Sequence, residues 1–578
     1  MKKVVLSTLN AKYIHTNLAI RCLKAYIEPE FEAELAEYTI KDPILNIAAD
    51  LFSKKPDIIG FSCYIWNIEE TIKVIQVLRK ILPDAKIILG GPEVTYDVPY
   101  WLDRLKGDVD FIVLGEGEET FKQLLEEIHG EKDWSRVHGI AYLDNNEKPV
   151  IKPQQNKIDL RDVPSPFRFE EDLPQLSKRV TYIETSRGCP FRCQFCLSSI
   201  EVGVRYFDRE KVKDDIRFLM KNGAKTIKFV DRTFNISRSY AMEMFQFLID
   251  EHLPGTVFQF EITADIMRPE VIEFLNREAP SGLFRFEIGV QSTNDETNDL
   301  VMRKQNYKKL TRTVTMVKDG GKIDQHLDLI AGLPEEDYLS FRKTFNDVFE
   351  MRPEELQLGF LKMLRGTGLR IRANDHQYTY MDHSPYEILG NNVLSFDDIV
   401  RIKQVEDVLE KYWNDHRMDR TVEHLVTNCF ESPFDFFQQF GSYWEERGWS
   451  RIGHQLEDLF KRLHEFLSSQ DRHEMHIIEG LMKLDYLSNQ RYKPRKPWWE
   501  HEMTKEERSG IYQDLLQSPH IAGNDFTKLN LSEKEIYKHT LLETIVSKEG
   551  RNEYVLAYFE PSNGQSTLFF FEKEYISN

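Results

Sequence analysis

Cysteine is scarce in this chain, with six among 578 residues. Small secreted scaffolds depend on many disulfides, so this count excludes a disulfide-stapled protein. Long apolar runs are also missing, since no stretch approaches the roughly 18 uncharged apolar residues that span a bilayer. The first apolar run stops at Asn10 and Lys12, too early for a secretory leader. We therefore expect a cytoplasmic protein without a membrane segment.

Positive charge is likewise in short supply. The chain carries 95 acidic and 76 basic residues, a formal net charge of −19 at pH 7. Such a surface repels a phosphate backbone, which disfavours nucleic acid as a partner. The basic and aromatic run Gln490–Trp499 could stack on an unpaired nucleotide. Its prolines instead favour a loop whose tryptophans pack on a helix.

Length and pattern indicate several domains, because a chain of 578 residues is longer than a domain with a single hydrophobic core. Residues 1–140 alternate short apolar runs with amphipathic stretches, which predicts a doubly wound parallel sheet of the α/β class. The elements expected there are strands Lys3–Leu9, Ala33–Ile40, Ile58–Cys63, Lys86–Leu89 and Phe111–Leu114, and helices Glu69–Leu82 and Glu118–Ile128.

Proline marks the end of this first domain. Residues 141–178 gain prolines and lose periodicity, which predicts a hairpin and then an extended linker. Residues 179–395 resume the strand and helix alternation, which predicts a partial (β/α)6 barrel. Its expected strands are Thr181–Thr185, Thr226–Val230, Val257–Ile262, Phe284–Val290, Gln325–Ile330 and Leu356–Leu361.

The last part of the chain, residues 396–578, has a different character. Long helical patterns rich in aromatic residues run over Ser395–Trp413 and Trp444–Ser469. A short strand-like tail covers Tyr554–Phe571. These patterns predict a mostly helical C-terminal domain.

Three of the six cysteines, Cys189, Cys193 and Cys196, stand close together on one predicted loop. Their thiolates can hold three corners of a 4Fe–4S cluster, whereas a cluster used only for electron transfer takes four cysteines. The open iron can then chelate the amino and carboxylate groups of S-adenosylmethionine (SAM). A zinc site would need a fourth ligand at metal spacing, and none follows nearby.

This cysteine spacing resembles that of the radical SAM superfamily over about residues 180–370. In its coproporphyrinogen-oxidase-like members, polar residues at strand ends hold SAM, and an aromatic residue before the last cysteine lies against adenine. The resemblance implies this SAM-binding set: Phe195, Glu261, Gln291, Arg303 and Asp328. Carboxylate, amide and guanidinium groups suit such contacts. The alternative is that these side chains, and the further candidate Asp231, only close barrel strands.

An open parallel sheet binds ligands at the carboxyl ends of its strands. A domain of this kind before a radical core resembles the cobalamin-binding radical SAM enzymes, including a family with an aromatic, helical C-terminal domain. The resemblance implies that cobalamin meets these loop residues: Ser62, Gly90, Gly91, Pro92, Glu93, Gly115, Glu116, Gly117 and Glu118.

One family motif, Asp-x-His-x-x-Gly, whose histidine ligates cobalt, is absent. His15 lies in the corresponding loop, but Tyr13 and Leu18 replace the aspartate and glycine. The groups that orient a ligating imidazole are therefore missing. We expect cobalt without a protein imidazole, with ligation by His15 as the alternative.

Three functions fit these features. The leading hypothesis is a radical methyltransferase that acts on an unactivated carbon with a 4Fe–4S cluster, SAM and methylcobalamin. Its rival is an oxidoreductase or cyclase that uses cobalamin for electron transfer, and a third is a non-catalytic cobalamin or iron–sulfur sensor or carrier. A methylthiotransferase would need a second cluster on three N-terminal cysteines, and residues 1–150 hold two. The expected partners are an unidentified small-molecule or peptide substrate and a reductant such as flavodoxin or ferredoxin.

Overall fold

A computed structural model describes residues 2–28, 30–200, 203–470, 474–548, 550–562, 564 and 566–572. The chain divides into two compact units. The first comprises Met1–Glu354 and Leu358–Phe396, and the second comprises Glu355–Gln357 and Asp397–Asn578. Among the described residues, no helix has the length and apolarity that crossing a bilayer requires.

The first unit begins with a seven-stranded sheet in the order β2-β1-β3-β4-β5-β6-β7. Its strands are β1 Val4–Asn10, β2 Ala33–Thr39, β3 Ile58–Ser62, β4 Lys86–Gly90, β5 Phe111–Val113, β6 Ile140–Leu143 and β7 Pro149–Lys152. Its helices are α1 Leu18–Ile27, α2 Ile44–Ser53, α3 Ile68–Ile81, α4 Pro92–Thr95, α5 Val98–Arg104 and α6 Gly117–His129. Strands β1 to β5 pair in parallel, whereas β6 and β7 form a hairpin that extends the sheet antiparallel.

Alternating side chains of this sheet build two hydrophobic cores. Ile59 and Phe61 belong to one core with α2, α3 and α5, and Leu6 and Ile58 belong to the other with α1 and α6. Both faces are covered by helices, as parallel strands require. The predicted doubly wound α/β sheet is confirmed.

A second sheet of six strands follows in the order β15-β14-β13-β12-β11-β8. The strands of this region are β8 Val180–Ile183, β9 Ser186–Arg187, β10 Arg205–Tyr206, β11 Thr226–Phe229, β12 Val257–Ile262, β13 Phe284–Gln291, β14 Asp324–Ala331, β15 Glu355–Phe360, β16 Thr379–Tyr380 and β17 Ile388–Gly390. The helices are α7 Arg209–Lys221, α8 Arg238–Glu251, α9 Pro269–Glu278, α10 Asp295–Leu300, α11 Tyr307–Gly320, α12 Tyr338–Phe349 and α13 Gly368–Ile371. Sequential order and intervening helices make this sheet the expected partial barrel.

The barrel strands alternate apolar and polar residues. Phe229 and Phe260 stack with ring centroids 4.5 Å apart, and Phe245 of α8 packs edge-on against Phe260. These buried rings lie on the outer face of the sheet, beneath the helices. The alternate residues on the inner face are polar, and there the Lys228 ammonium contacts the Glu287 carboxylate at 2.6 Å. The period-two pattern therefore separates a hydrophobic shell from a charged interior.

The second unit is mostly helical. Its helices are α14 Phe396–Leu409, α15 Asp419–His424, α16 Pro433–Glu446, α17 Leu456–Ser468, α18 Met475–Ser488, α19 Lys505–Gln517, α20 Asn524–Lys528 and α21 Glu533–His539. Two π-helical turns, Glu410–Asn414 and Leu425–Cys429, follow α14 and α15. Two tryptophans pack on aromatic residues of α17 and α18. The ring centroid of Trp498 lies 6.3 Å from that of Phe460, and the ring centroid of Trp499 lies 5.4 Å from that of Tyr486.

Two predictions for this unit need comment. The single helix predicted over Trp444–Ser469 is wrong, because α16 ends at Glu446 and Gly448 adopts a left-handed backbone with φ +68° before α17 begins. An antiparallel sheet of three strands, β18 Thr540–Val546, β19 Asn552–Phe559 and β20 Ser566–Glu572, ends the described chain, and the predicted tail forms β19 and β20. Within that tail, residues 563 and 565 lie outside the described residues.

Candidate active site

The three clustered cysteines lie on a loop with a pinched base. Strands β9 and β10 pair antiparallel at its two ends. Gly188 has φ +96°, and a Cβ there would lie 2.0 Å from the carbonyl oxygen of Gly203. The Gly203 amide in turn donates to the carbonyl of Cys189 at 3.1 Å. The loop can close this tightly only because residue 188 is glycine.

Inside the loop, further bonds set the positions of the cysteines. The Ser199 hydroxyl lies 2.6 Å from the carbonyl oxygens of both Cys193 and Cys196. Cys189 and Cys193 are buried, and Cys196 is half-buried. Burial raises the pKa of the Cys193 thiol, the Arg303 guanidinium opposes the rise, and the neighbouring cysteines add to it.

This donor set fits an iron–sulfur cluster. The charge of Cys196 contributes to the raised pKa of both Cys189 and Cys193, so the three groups would repel one another as thiolates, and bound iron supplies the positive charge that holds them deprotonated. Their loop leaves one corner of a cubane without a cysteine ligand. Phe195, half-buried, lies on the same loop just before Cys196.

Arg303 joins the cysteine loop to the end of β13. Its Nη1 lies 4.0 Å from Cys193 Sγ, and its Nη2 donates to the carbonyl oxygen of Gly289. Next to it, Gln291 follows a bulge in β13 and has φ +69°, a left-handed conformation that is strained for glutamine. Its buried Oε1 has no hydrogen-bond partner among the described residues. Strain and an unsatisfied buried oxygen at one residue suit a ligand contact.

The two predicted carboxylates lie on the neighbouring strands. Asp328 is paired in register with Gly289, and it lies 3.1 Å from the His326 imidazole. Burial raises the pKa of Glu261, and the charges of Asp328 and Glu287 contribute to that rise. The structure therefore brings the predicted SAM-binding set together at the carboxyl ends of β12 to β14, next to the cysteine loop. Their role in binding SAM stays a prediction.

Asp231, the further candidate, is already hydrogen-bonded to other residues of the protein. Its carboxylate accepts hydrogen bonds from the Thr185 amide at 3.1 Å, the Thr185 hydroxyl at 2.7 Å and the Ser186 hydroxyl at 2.5 Å. Burial raises its pKa to about 6. These contacts hold the start of the cysteine loop against β11.

The loops after the strands of the first sheet carry the residues expected to meet cobalamin. Gly91 has φ +108°, and a Cβ there would lie 2.5 Å from the carbonyl oxygen of Cys63. Ser62 and Glu93 are buried, and the Ser62 carbonyl accepts from the Asn67 amide at 3.0 Å. These residues lie at the carboxyl ends of β3 and β4.

Exposed apolar side chains accompany these loops. Trp66, after β3, is 47% exposed and stacks on Tyr64 with ring centroids 4.3 Å apart. After β1, Tyr13 is 56% and Ile14 is 45% exposed. Apolar surface at this sheet edge fits a large planar ligand such as a corrinoid.

The acidic loop after β5 makes different contacts. Arg187 forms an ion pair with Glu118, with 2.6 Å between Nη2 and Oε1, and Arg205 forms one with Glu116. Gly115 has φ +68°, and a Cβ there would lie 2.6 Å from Gln154 Oε1. Arginines that flank the cysteine loop thus pair with both carboxylates, while the buried Oε2 of Glu116 has no hydrogen-bond partner among the described residues. The backbone amides of Gly115 and Glu116 donate to Thr95 Oγ1 and Gln154 Oε1, each at 3.4 Å.

His15 contacts the barrel. Its Nδ1 lies 2.7 Å from the Tyr182 hydroxyl, and its loop pairs alongside Val180 of β8. Burial lowers the pKa of His15, helped by the positive charges of Lys12 and Lys228. The imidazole is therefore held neutral against β8. Its Nδ1 contacts Tyr182, so Nε2 is the ring nitrogen that could ligate cobalt. Cobalt without a protein imidazole stays a prediction.

Two features escaped prediction from the sequence. The first is the charged barrel interior around Lys228 and Glu287. The strict alternation of apolar and polar residues in β12 to β14 is the sequence signal that could have revealed it. Arg187 and Arg205 were not singled out, because their partners lie 69 and 89 residues away. No local pattern marks such pairs.

Three family models match successive parts of the chain. They are the B12 binding domain over residues 4–125, the Radical SAM superfamily over residues 183–348, and the family described as Protein of unknown function (DUF4080) over residues 374–555. The first two confirm the expected cofactor classes, cobalamin for the sheet domain and a 4Fe–4S cluster with SAM for the barrel.

Curated relatives agree with this division. The cobalamin-dependent radical SAM methyltransferase TokK of Streptomyces tokunonensis is 26% identical over 65% of this chain and 57% of its own length. The anaerobic magnesium-protoporphyrin IX monomethyl ester cyclase of Rubrivivax gelatinosus is 26% identical over 56% of this chain and 58% of its own. The chain spans about half the length of the curated relatives it matches.

A solved structure shares the fold. The cobalamin-dependent S-adenosylmethionine radical enzyme OxsB, with aqua-cobalamin and S-adenosylmethionine bound, superposes with a TM-score of 0.56 at 17% identity. The match covers 92% of this chain and 82% of OxsB. The chain thus carries a B12-binding domain followed by a radical SAM domain, each matched by its own family model, on a fold that it shares with OxsB.

Proposed function

We propose that this protein methylates an unactivated carbon of its substrate in a cobalamin-dependent radical SAM reaction. The observation that carries the proposal is the contact between the two cofactor regions. Arg187, at the base of the cysteine loop, binds Glu118 in the loop that follows β5 of the B12-binding domain. When bound, the cluster and SAM supply a 5′-deoxyadenosyl radical, and the corrinoid supplies a methyl group.

The residues of this chain have separate tasks in that reaction. Cys189, Cys193 and Cys196 hold the cluster and leave one iron for SAM. The unsatisfied Gln291 Oε1 accepts from a donor of SAM, and Arg303 provides guanidinium hydrogens beside Cys193. This role for Gln291 explains why a strained backbone is kept there.

The remaining predicted residues complete the binding set. Asp328 and Glu261 offer carboxylates to the ammonium or ribose hydroxyls of SAM. The Phe195 ring lies against the adenine. On the other side, Ser62 and the glycine loops Gly90–Glu93 and Gly115–Glu118 hold the corrinoid and its nucleotide tail.

A second candidate is radical oxidation or ring closure without methyl transfer. It is supported by the relative named as a cyclase, which matches the chain at the same identity as the methyltransferase TokK. Both reactions need a one-electron donor, and a flavodoxin or ferredoxin suits that task. A non-catalytic sensor or carrier would have no use for the strained Gln291.

Product analysis tests the proposal. Reconstituted, reduced protein with cobalamin, SAM and a candidate substrate should form S-adenosylhomocysteine and 5′-deoxyadenosine together. Release of 5′-deoxyadenosine and methionine without S-adenosylhomocysteine would favour the second candidate. Absence of any SAM cleavage would contradict both.

A matched pair of glutamine variants addresses the site itself. Gln291→Ala should weaken SAM binding at least about tenfold, because it removes a polar contact worth roughly 1.5 kcal/mol. Gln246→Ala, on the exposed face of α8, should leave SAM binding unchanged. Equal SAM affinity in both variants would remove Gln291 from the proposed set.

A further inference from the structure

The C-terminal unit contains a compact group of three metal-ligating side chains away from the cysteine loop. His424, Cys429 and Glu474 each offer one ligand atom, and these three atoms all lie within 4.8 Å of one another. His424 ends α15, Cys429 ends the π-helical turn that follows, and Glu474 immediately precedes α18. Nitrogen, sulfur and oxygen ligands thus meet at one point from two segments of the chain.

The π-helical turn is what aligns the first two ligands. In a regular α-helix, side chains five residues apart point about 140° away from each other. Here the Phe430 amide donates to the Leu425 carbonyl at 3.2 Å, the five-residue bond of a π turn. This wider turn brings Cys429 back toward the side of His424. Single π turns in helices occur often at functional sites.

The imidazole of His424 points an unsatisfied nitrogen into this group. Its side chain is 8% exposed, and its buried Nε2 has no hydrogen-bond partner among the described residues. The nearest carboxylate oxygen, Glu474 Oε2, lies 3.3 Å away without forming a hydrogen bond. A buried nitrogen in this state requires another partner.

The geometry suits a tetrahedral ion. Zinc bonds of about 2.0–2.1 Å to nitrogen and 2.0–2.2 Å to oxygen place these two ligands about 3.4 Å apart. The 3.3 Å between His424 Nε2 and Glu474 Oε2 agrees with that separation. A thiolate among the ligands disfavours Mg²⁺ and Ca²⁺, which prefer oxygen, and favours a softer ion. We infer that His424, Cys429 and Glu474 bind Zn²⁺.

Asn428 lies beside the other ring nitrogen of His424. Its amide lies 3.3 Å from Nδ1 of His424 and also 3.3 Å from the His424 carbonyl oxygen. Zinc on Nε2 requires the proton on Nδ1, so the Asn428 carboxamide nitrogen must turn away from Nδ1 when the ion binds. Three ligands leave the fourth tetrahedral position for water or a ligand group.

Zinc and cobalt binding test this inference on the full chain. Cys189, Cys193 and Cys196 are first replaced by alanine, which removes the competing thiolates. This parent should bind one equivalent of Zn²⁺ with a rise in melting temperature. With Co²⁺ it should show sulfur-to-cobalt charge-transfer absorption and tetrahedral ligand-field bands.

Three further variants in that background, one of them a control, separate the site from its surroundings. Cys429→Ser should abolish the charge-transfer band and weaken zinc binding at least about tenfold. Glu474→Gln should weaken zinc binding as strongly, and its side chain is 52% exposed, so the fold tolerates the change. Glu479→Gln, on α18 but bound to His464 at 2.7 Å, is the matched control and should keep full zinc affinity.

Two results would overturn the inference. One is a folded parent that binds no stoichiometric zinc, and the other is unchanged zinc affinity in Glu474→Gln. If circular dichroism shows that Cys429→Ser does not fold, Glu474→Gln decides: weaker zinc binding supports the site and equal binding rejects it. None of these readouts depends on radical chemistry, so the site and the proposed function can fail separately.

Discussion

The Tyr386 phenol donates a hydrogen bond to the Glu93 carboxylate, with 2.6 Å between Oη and Oε1. Both side chains are buried, and Arg365 Nε donates to the same phenol oxygen at 3.2 Å. Burial raises the pKa of Glu93 to about 7, although the Tyr386 hydrogen bond and the charge of Arg365 oppose the rise. A carboxyl that titrates near neutrality therefore lies in α4, the short helix after β4.

Replacing this carboxyl should change how stability depends on pH. The folded state keeps the Glu93 proton up to about pH 7, whereas the unfolded chain releases it near the ordinary value of 4.5. The wild-type free energy of unfolding therefore falls as pH rises between these values, by at most about 3 kcal/mol. Glu93→Gln lacks this fall. Chemical denaturation at about pH 4.5 and about pH 8 measures the free energy of unfolding of both proteins. If wild type and Glu93→Gln differ in that free energy by the same amount at both pH values, the prediction is contradicted.

The cluster ligands give a second prediction. Cys193→Ala should reduce reconstituted iron, sulfide and SAM cleavage to background, because two thiolates no longer hold the cubane. Cobalamin binding, followed by absorbance, should survive. Cys22→Ala, a buried cysteine on α1, is the control and should keep the cluster. Full SAM cleavage by Cys193→Ala would reject the cluster assignment.

Two glycines of the cysteine loop provide a third, matched test. Gly188→Ala should prevent cluster assembly, because the new Cβ would lie 2.0 Å from a backbone carbonyl. Gly203→Ala also stands at positive φ, but its Cβ would meet no atom of the described residues within 4 Å. It should cost only about 1–2 kcal/mol of strain and retain most of the iron. Similar iron content in the two variants would mean that the close approach at Gly188 is not required.

The contact between Arg187 and Glu118 leads to a fourth prediction. Arg187→Ala leaves the nearly buried Glu118 carboxylate without its cation and should lower the free energy of unfolding by about 3–5 kcal/mol. The double variant Arg187→Ala/Glu118→Ala should recover part of that loss, since the Glu118 charge is then removed as well, although Glu184, 3.0 Å from Arg187 Nη2, still loses its cation. Urea denaturation of the four proteins gives the coupling energy. A coupling near zero would show that the pair does not join the two regions.

Much of the fold could be predicted because its signals are local. Apolar alternation over Val257–Ile262 and Phe284–Gln291 reflects burial of one strand face, and that pattern is written in consecutive residues. The helix predicted over Trp444–Ser469 failed, because its periodicity continues across Gly448 while the backbone turns there. Hydrophobic patterns report which side of a segment is buried and do not report a change of direction.

The sequence by itself determined the cysteine loop, since all three thiols lie within eight residues of one segment, and it determined the α/β alternation that carries them. Only the tertiary structure decided which charges pair across the chain. Glu116 and Glu118 look like open ligand contacts in the sequence, yet folding places Arg205 and Arg187 against them. Likewise, Glu474 lies 50 residues after His424, and the packing of the start of α18 near the end of α15 brings Glu474 Oε2 to 3.3 Å from His424 Nε2. Such meetings depend on how packed elements place remote residues in space, and no local pattern encodes that placement.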